Sequence, residues 1–329
     1  MTPTVPAKPS AFILLVATTT FATAAWSAEP YPSRPVRLIL PAAVGGSTDI
    51  AGRILATQLA ERFGVQVVAD NRGGAGGVIA TEMAANAAPD GHTLLIASAS
   101  QSSQPALRKL PYDPVKSFTP VAKLASVYLV LVAHPNVAAS SVGELVALAR
   151  RKPGQLTFSG TGVGAHTTMA TELFKLMAGI DAVVVEYKGG GPAVIDLLGG
   201  HTNAMLATIS AALPHIRTGK LKALGTSGSA RSALLPEMPT ISEAGVAGYE
   251  TVQWHGLLAP ARTPAAVIAR LDREAKAIVE SEDVRKRLLS AGLESDYLGP
   301  AQFDRFYKRE LEQWARVVKQ ANIRLKDEK

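Results

Sequence analysis

Cysteine is absent from all 329 residues. That excludes disulfides, thiol catalysis and thiolate metal sites together. Aromatic residues make up only 5% of the chain and charged residues 19%. Nothing interleaves aromatic with basic side chains as a nucleic-acid surface would. The net charge of +7 is spread out and falls to +6 without Lys8. Its densest cluster, Arg285, Lys286 and Arg287 with Arg305, Lys308 and Arg309, sits beside Glu282, Asp283, Asp304 and Glu310. Such a mixture reads as solvated helix faces, with no nucleic-acid partner. The histidines form no HExxH pair, so no metal site is expected. No GxSxG elbow marks a nucleophile. An enzyme reading therefore has no nucleophile, no paired acids and no metal to stand on.

What is present is apolar and turn-rich: 47% hydrophobic residues, 28 glycines and 21 prolines. That is enough for one large or two medium α/β domains with substantial cores. Residues 1–28 stand apart from the fold. Lys8, the apolar run Ala11 to Ala25, and Trp26-Ser27-Ala28 describe a secretory signal peptide cleaved near Ala28. The mature chain is expected to be exported and released as a soluble monomer.

The chain is organised around Val36–Phe63. A β-branched run enters a Gly45-Gly46-Ser47-Thr48-Asp49 turn and then a helix, whose face carries Ala51, Leu55, Leu59 and Phe63. Ser47, Thr48 and Asp49 are N-cap candidates and Gly64 the C-cap. A helix start with small residues before it accepts an anion through unpaired N–H groups and the helix dipole.

Beyond it, strands alternate with helices, which implies parallel sheet and right-handed crossovers. Two long extended runs interrupt the alternation, Phe118–His134 and Tyr249–Pro260. Between them lies a second α/β series, ending in a proline-punctuated loop, Arg231–Gly248, with one short helix expected in it. After the second run come helices at Thr263-Pro264, Glu282–Ala291 and Pro300–Ala321. The expected organisation is a leader at 1–28, a first lobe at 29–128, a second lobe at 129–249, and a return to the first lobe at 250–329. A chain that crosses twice between lobes makes a hinge with a cleft.

Five short loops rich in Gly, Ser and Thr end strands: Val44–Asp49, Ser98–Ser103, Ser159–Thr167, Lys188–Gly191 and Thr208–Ala211. In open α/β sheets, ligands bind outside such strand ends. Together these loops offer amides and hydroxyls to a small anion, a carboxylate more readily than a large cofactor. His166 stands in the third loop as either a ligand contact or a cap. Trp254 stands in the second extended run as either a hinge-core residue or a cleft wall. A rival reading remains open. Gly160-Thr-Gly162-Val-Gly164-Ala165 follows a strand, fits GxGxxA and is followed by Glu186, as in an exported α/β enzyme binding a nucleotide or phosphate-bearing ligand.

Several segments resemble the Bug-type (TctC-like) solute receptors of tripartite tricarboxylate transporters. They include Tyr31-Pro-Ser-Arg-Pro35, Pro41 to Asp49, Asn71 to Gly77, Ala88-Pro-Asp-Gly-His-Thr-Leu94 and Leu110-Pro-Tyr-Asp-Pro114. Tyr187-Lys-Gly189, Asp196 to Gly200, Ala212-Leu-Pro-His-Ile216, Pro239-Thr240, Glu243-Ala-Gly245 and Gly256-Leu-Leu-Ala-Pro260 continue the likeness over the mature chain. The resemblance implies a two-lobed periplasmic binding protein of type II-like α/β fold, with two crossover strands as the hinge. It also implies no catalysis, no cofactor, an organic carboxylate as ligand and a two-component membrane permease as partner.

By the same resemblance the ligand loop is Val44, Gly45, Gly46, Ser47, Thr48 and Asp49. Its companions are Ser98, Ser100 and Gln101; Thr161, Gly162, Gly164, Ala165, His166 and Thr168; and Ala207 with Thr208. Trp254 completes the expected site. The chain departs from the family where Phe is usual (Ala42), where Pro is frequent before Gly-Gly (Val44) and where many have Asp (Ala207). A frequent His is Thr168 here, with His166 two places earlier. These departures imply a wider cleft and no amino-acid specificity.

Overall fold

The computed structural model describes residues 1–4, 31–42, 44–73 and 75–324. The expected leader lies outside these apart from residues 1–4, and so does its cleavage point near Ala28. Residues Tyr31–Lys329 form one compact unit. No described helix is long and apolar enough to cross a membrane.

The unit opens with β1 (Val36–Leu40), α1 (Ser47–Phe63), β2 (Val67–Asn71), α2 (Val78–Ala85), β3 (Thr93–Ser98), α3 (Ala99–Leu107) and β4 (Phe118–Val127). Helix α1 buries Ala51, Ile54, Leu55 and Leu59 against the sheet and ends at Gly64 in the left-handed conformation. It lies close to β1. A Cβ on Gly52 would come 2.3 Å from Leu40 Cδ2, so a side chain there would push helix from strand.

The second series runs β5 (Leu129–Ala133), α4 (Val142–Arg151), β6 (Thr157–Gly160), α5 (His166–Ala178), β7 (Val183–Glu186), α6 (Gly190–Leu198), β8 (Ala204–Thr208), α7 (Ile209–Arg217) and β9 (Lys222–Thr226). The chain then returns as β10 (Gln253–Pro260), α8 (Ala265–Val279), α9 (Glu282–Ser290), β11 (Glu294–Leu298) and α10 (Pro300–Gln320).

Two mixed sheets result, one ordered β11-β4-β10-β3-β1-β2 and the other β7-β6-β8-β5-β9. This is a two-lobed α/β fold. The first extended run splits at Tyr128, with β4 in one sheet and β5 in the other. Strands β1–β3 and β6–β8 pair parallel, whereas β5 and β10 lie antiparallel to their neighbours. An all-parallel expectation misses this, because a strand arriving from the other lobe enters against the direction of strands fed by βα units.

Three other differences are local. The second extended run is strand only over β10, since residues 249–252 belong to no strand. The Arg231–Gly248 segment is built of turns and holds no helix. Strand β11, half-buried at every position, adds an edge that the apolar pattern alone does not mark.

Each lobe has its own core. Leu38, Leu40, Leu55, Leu59, Leu257 and Leu271 belong to the first, and Leu131, Leu145, Phe158, Phe174 and Leu206 to the second. Helix α10 belongs to both. Its Phe303, Phe306 and Tyr307 pack around Trp254, while Trp314, Val317 and Val318 pack into the second lobe. Between them the buried Glu310 accepts hydrogen bonds from both indoles, Trp254 Nε1 and Trp314 Nε1, each at 3.1 Å.

Candidate functional site

A cavity of about 400 Å³ lies between the lobes. From the first lobe it is lined by Pro41 and Ala42, by Thr48 of α1, by Gly73, Gly76 and Gly77 before α2, and by Ser98, Ala99 and Ser100 at the start of α3. From the second it is lined by Thr161, Gly164, Ala165, His166 and Thr167 at the start of α5. Gln253 of the return strand closes the floor. Several helices thus begin at one space, and their first N–H groups have no partner within the helix.

The start of α1 is left open by its own sequence. Ser47, Thr48 and Asp49 do not cap it. The N-cap is Gly46, which brings no side-chain hydrogen bond. Asp49 sits at the third helical position and reaches back, accepting from the Gly45 N–H at 2.9 Å. Its other oxygen accepts from Arg53 Nε at 2.8 Å and Asn71 Nδ2 at 2.9 Å. Burial alone would raise this carboxyl, but those donors together hold it below the usual carboxylate range. Asp49 therefore shapes the loop and is neutralised by Arg53, leaving the helix start to an outside anion.

The floor follows from strand periodicity. In the extended run, Thr251, Gln253 and His255 alternate with Val252 and Trp254. The first set meets both helix starts. Gln253 Nε2 donates to Ser47 Oγ at 3.2 Å, His255 Nδ1 lies 3.5 Å from Thr48 Oγ1, and Thr251 Oγ1 lies 3.4 Å from His166 Nε2. The second set points into the aromatic core. Trp254 is 0% exposed there, which decides between its two sequence readings in favour of hinge core over cleft wall.

The lining holds no Lys, Arg, Asp or Glu among the described residues. Its one ionisable group is His166, set edge-on to Trp314 with ring centroids 5.6 Å apart. Desolvation, with His255 nearby, pushes the His166 imidazole down to about 3. Desolvation likewise pushes His255 down to about 4. Both rings are neutral at neutral pH. An anion here meets only neutral hydroxyls, amides and helix dipoles.

Of the residues expected from sequence, Thr48, Ser98, Ser100, Thr161, Gly164, Ala165 and His166 line the cavity. The others are not among the lining residues. Val44, Gly45 and Gly46 are exposed on the loop, and Ser47 and Asp49 flank Thr48 in the first turn of α1. Gln101 accepts from the Ser98 N–H, holding the start of α3. Gly162 donates to Glu186 Oε2 at 2.8 Å, and Thr168 accepts from the Thr161 N–H at 3.0 Å. Ala207 is buried in the second lobe, with Thr208 at the head of α7. The Lys188–Gly191 and Thr208–Ala211 loops contribute no lining residue. The Gly189 amide instead donates to Thr161 O and supports the third loop from behind.

The Glu186 contact also bears on the nucleotide alternative. Its carboxylate already takes up a loop amide where a pyrophosphate would need it, and would repel that phosphate. Sequence reasoning missed the Gly73–Gly77 wall and Gln253. The glycine run after β2 was a visible signal for the first. A lone amide side chain amid an apolar crossover was the signal for the second.

Comparison with known proteins agrees with this geometry. Residues 51–323 match the family described as the tripartite tricarboxylate transporter family receptor. The protein BugT of Bordetella pertussis is 37% identical over 303 residues, which covers 91% of this chain and 93% of BugT. Among solved structures, one from R. palustris with adipate is 33% identical at a TM-score of 0.74, covering 89% of this chain and 99% of that one. MatC from Rhodopseudomonas palustris with bound malate is 32% identical at a TM-score of 0.70, covering 88% of this chain and all (100%) of that one.

Proposed function

The chain belongs to the tripartite tricarboxylate transporter receptor family, and on that premise we propose that it closes two lobes over a small organic carboxylate. Delivery to the two-component permease, as a monomer in the periplasm after removal of residues 1–28, completes the reading. The first lobe is residues 29–128 with 250–329, and the second is 129–249. The hinge is the pair of crossings at Tyr128 and residues 249–252.

One observation carries the proposal. Helices α1, α3 and α5 all begin at a cavity whose described lining holds no charged side chain. Such a site stabilises a carboxylate through amide donors and dipoles without a competing lysine or arginine. Thr48, Ser98, Ser100 and Thr161 supply hydroxyls, and the amides around Gly46–Thr48 and at Gly164 and His166 supply N–H donors. The likeness to structures holding adipate and malate supports a carboxylate as the ligand class.

The test is a thermal-shift and calorimetric screen of residues 29–329 against malate, adipate, citrate and aromatic acids, with NAD as the rival. A carboxylate that binds the folded state stabilises it by about 2.7 kcal/mol at a hundredfold excess over Kd. Silence from every acid together with a response to NAD would overturn the proposal in favour of a nucleotide-binding enzyme.

A further inference from the structure

Away from the helix starts, the described first-lobe wall of the cavity carries only small side chains. Its small-residue part is formed by Pro41 and Ala42 after β1 and by Gly73, Gly76 and Gly77 before α2. The nearby Val44 is 72% exposed and is not among the lining residues. What faces the cavity is Pro41, Ala42, Gly73, Gly76, Gly77 and the adjoining Ala99.

The bareness is built into the backbone. Ala42 is fixed from both sides, its N–H donating to Leu40 O at 2.8 Å and its carbonyl accepting from Asn71 Nδ2 at 3.2 Å. Gly76 and Gly77 have φ of +64° and +86°, and a Cβ on Gly77 would stand 2.9 Å from Pro41 Cβ. Neither glycine can acquire a side chain without strain. Across the cavity the second lobe offers Gly164, Ala165 and the uncharged His166 ring. The hydroxyls of Thr48, Ser98, Ser100, Thr161 and Thr167 belong to the helix starts, not to the bare wall.

From this arrangement, and resting on the carboxylate-receptor reading above, we propose that the preferred ligand is a planar aromatic carboxylate. Its ring lies on the alanine–glycine wall and its carboxylate on the helix starts. Flat peptide faces suit a ring, which is rigid and loses little conformational entropy on binding. A hydroxylated acyclic acid finds side-chain partners for its hydroxyls only at the helix starts and Gln253, not on this wall. A flexible chain such as adipate must be ordered at a cost in rotamers. The lack of any described acidic lining residue leaves an ammonium without a counter-charge, which disfavours amino acids.

Isothermal titration of residues 29–329 with benzoate and the benzene dicarboxylates, against adipate and malate, tests this directly. The expected result is at least about tenfold tighter binding of an aromatic acid. Ala42→Phe fills the wall and is expected to weaken that acid about tenfold or more while changing adipate less than about threefold. Ala42→Leu gives a smaller effect of the same pattern, should the larger side chain disturb folding. Adipate or malate binding as tightly as every aromatic acid overturns the inference and leaves the receptor reading standing. So does Ala42→Phe weakening both classes equally. No binding of any carboxylate overturns the receptor reading as well.

Discussion

Asp49 carries a negative charge in the first turn of α1, the helix proposed to receive another. Its oxygens are occupied by Gly45, Asn71 and Arg53, so the carboxylate acts as a loop clamp. Asp49→Ala frees the Gly45 amide and leaves Arg53 without its partner. The expected outcome is a loss of about 1–3 kcal/mol in denaturant melts, with weaker carboxylate binding in titration. Asp49→Asn retains part of both. His255 makes a different prediction. Its imidazole is held at about 4, below the ordinary value of about 6.5. The folded chain therefore binds fewer protons than the unfolded chain between those values. Stability rises with pH across that window and is lost as pH falls from about 6.5 towards 4. Burial raises the Glu310 carboxyl against the indole bonds that lower it. A raised acid works the other way, losing stability as pH rises through it. Comparing His255→Gln with the parent isolates the His255 part from that of His166, which is lowered in the same direction. Urea melts at pH 7 and 4.5 are expected to show a pH-dependent loss smaller by roughly 2–3 kcal/mol in the variant. The clamping role of Asp49 was not legible in sequence. Its partners Asn71 and Arg53 meet it through the β1–β2 pairing and the helix turn, which sequence spacing presents as separate features.

The elements themselves were largely legible, because apolar periodicity and Gly/Pro punctuation mark them directly. Helix α1 and its stop at Gly64, the sheet change at Tyr128, and the α4 cap from Ser141 (whose hydroxyl accepts from the Glu144 amide) follow from local pattern. Helix starts were less legible. Helices α3 and α7 begin inside what read as loops, at Ala99 and Ile209, because Ser and Thr signal both a turn and a first helical turn. The N-cap of α1 is the informative case. Gly46 forgoes the capping bond that Ser, Thr or Asp would make. Gly46→Asp is therefore expected to stabilise the fold by a few tenths of a kcal/mol, seen as a slightly higher melting temperature. It would also weaken carboxylate binding by about tenfold or more, since the new side chain occupies the amides the ligand needs. A melt and a titration on one sample decide it. Stronger stability with unchanged affinity would show that α1 does not hold the ligand.

At the scale of the molecule, α10 makes the two lobes one cooperative body. Its first half packs with the first-lobe aromatic cluster and its second half with the second-lobe core. Calorimetry of the parent is expected to give a single unfolding transition. Trp314→Ala removes the second-lobe anchor and the bond to Glu310. It is expected to cost about 3–5 kcal/mol and to separate the transition into two. The joint was only half legible. Leu311, Trp314 and Val318 lie three and four apart, which marks an apolar helix face, but periodicity says nothing about which lobe covers it. The same joint has an optical consequence. Trp254 and Trp314 are the two tryptophans beyond residue 30. Their indoles share one carboxylate, and Trp314 stands against the cavity residue His166. Whatever fills the cavity alters the surroundings of one emitter and, through Glu310, of the other. Intrinsic emission should report occupancy without any attached dye.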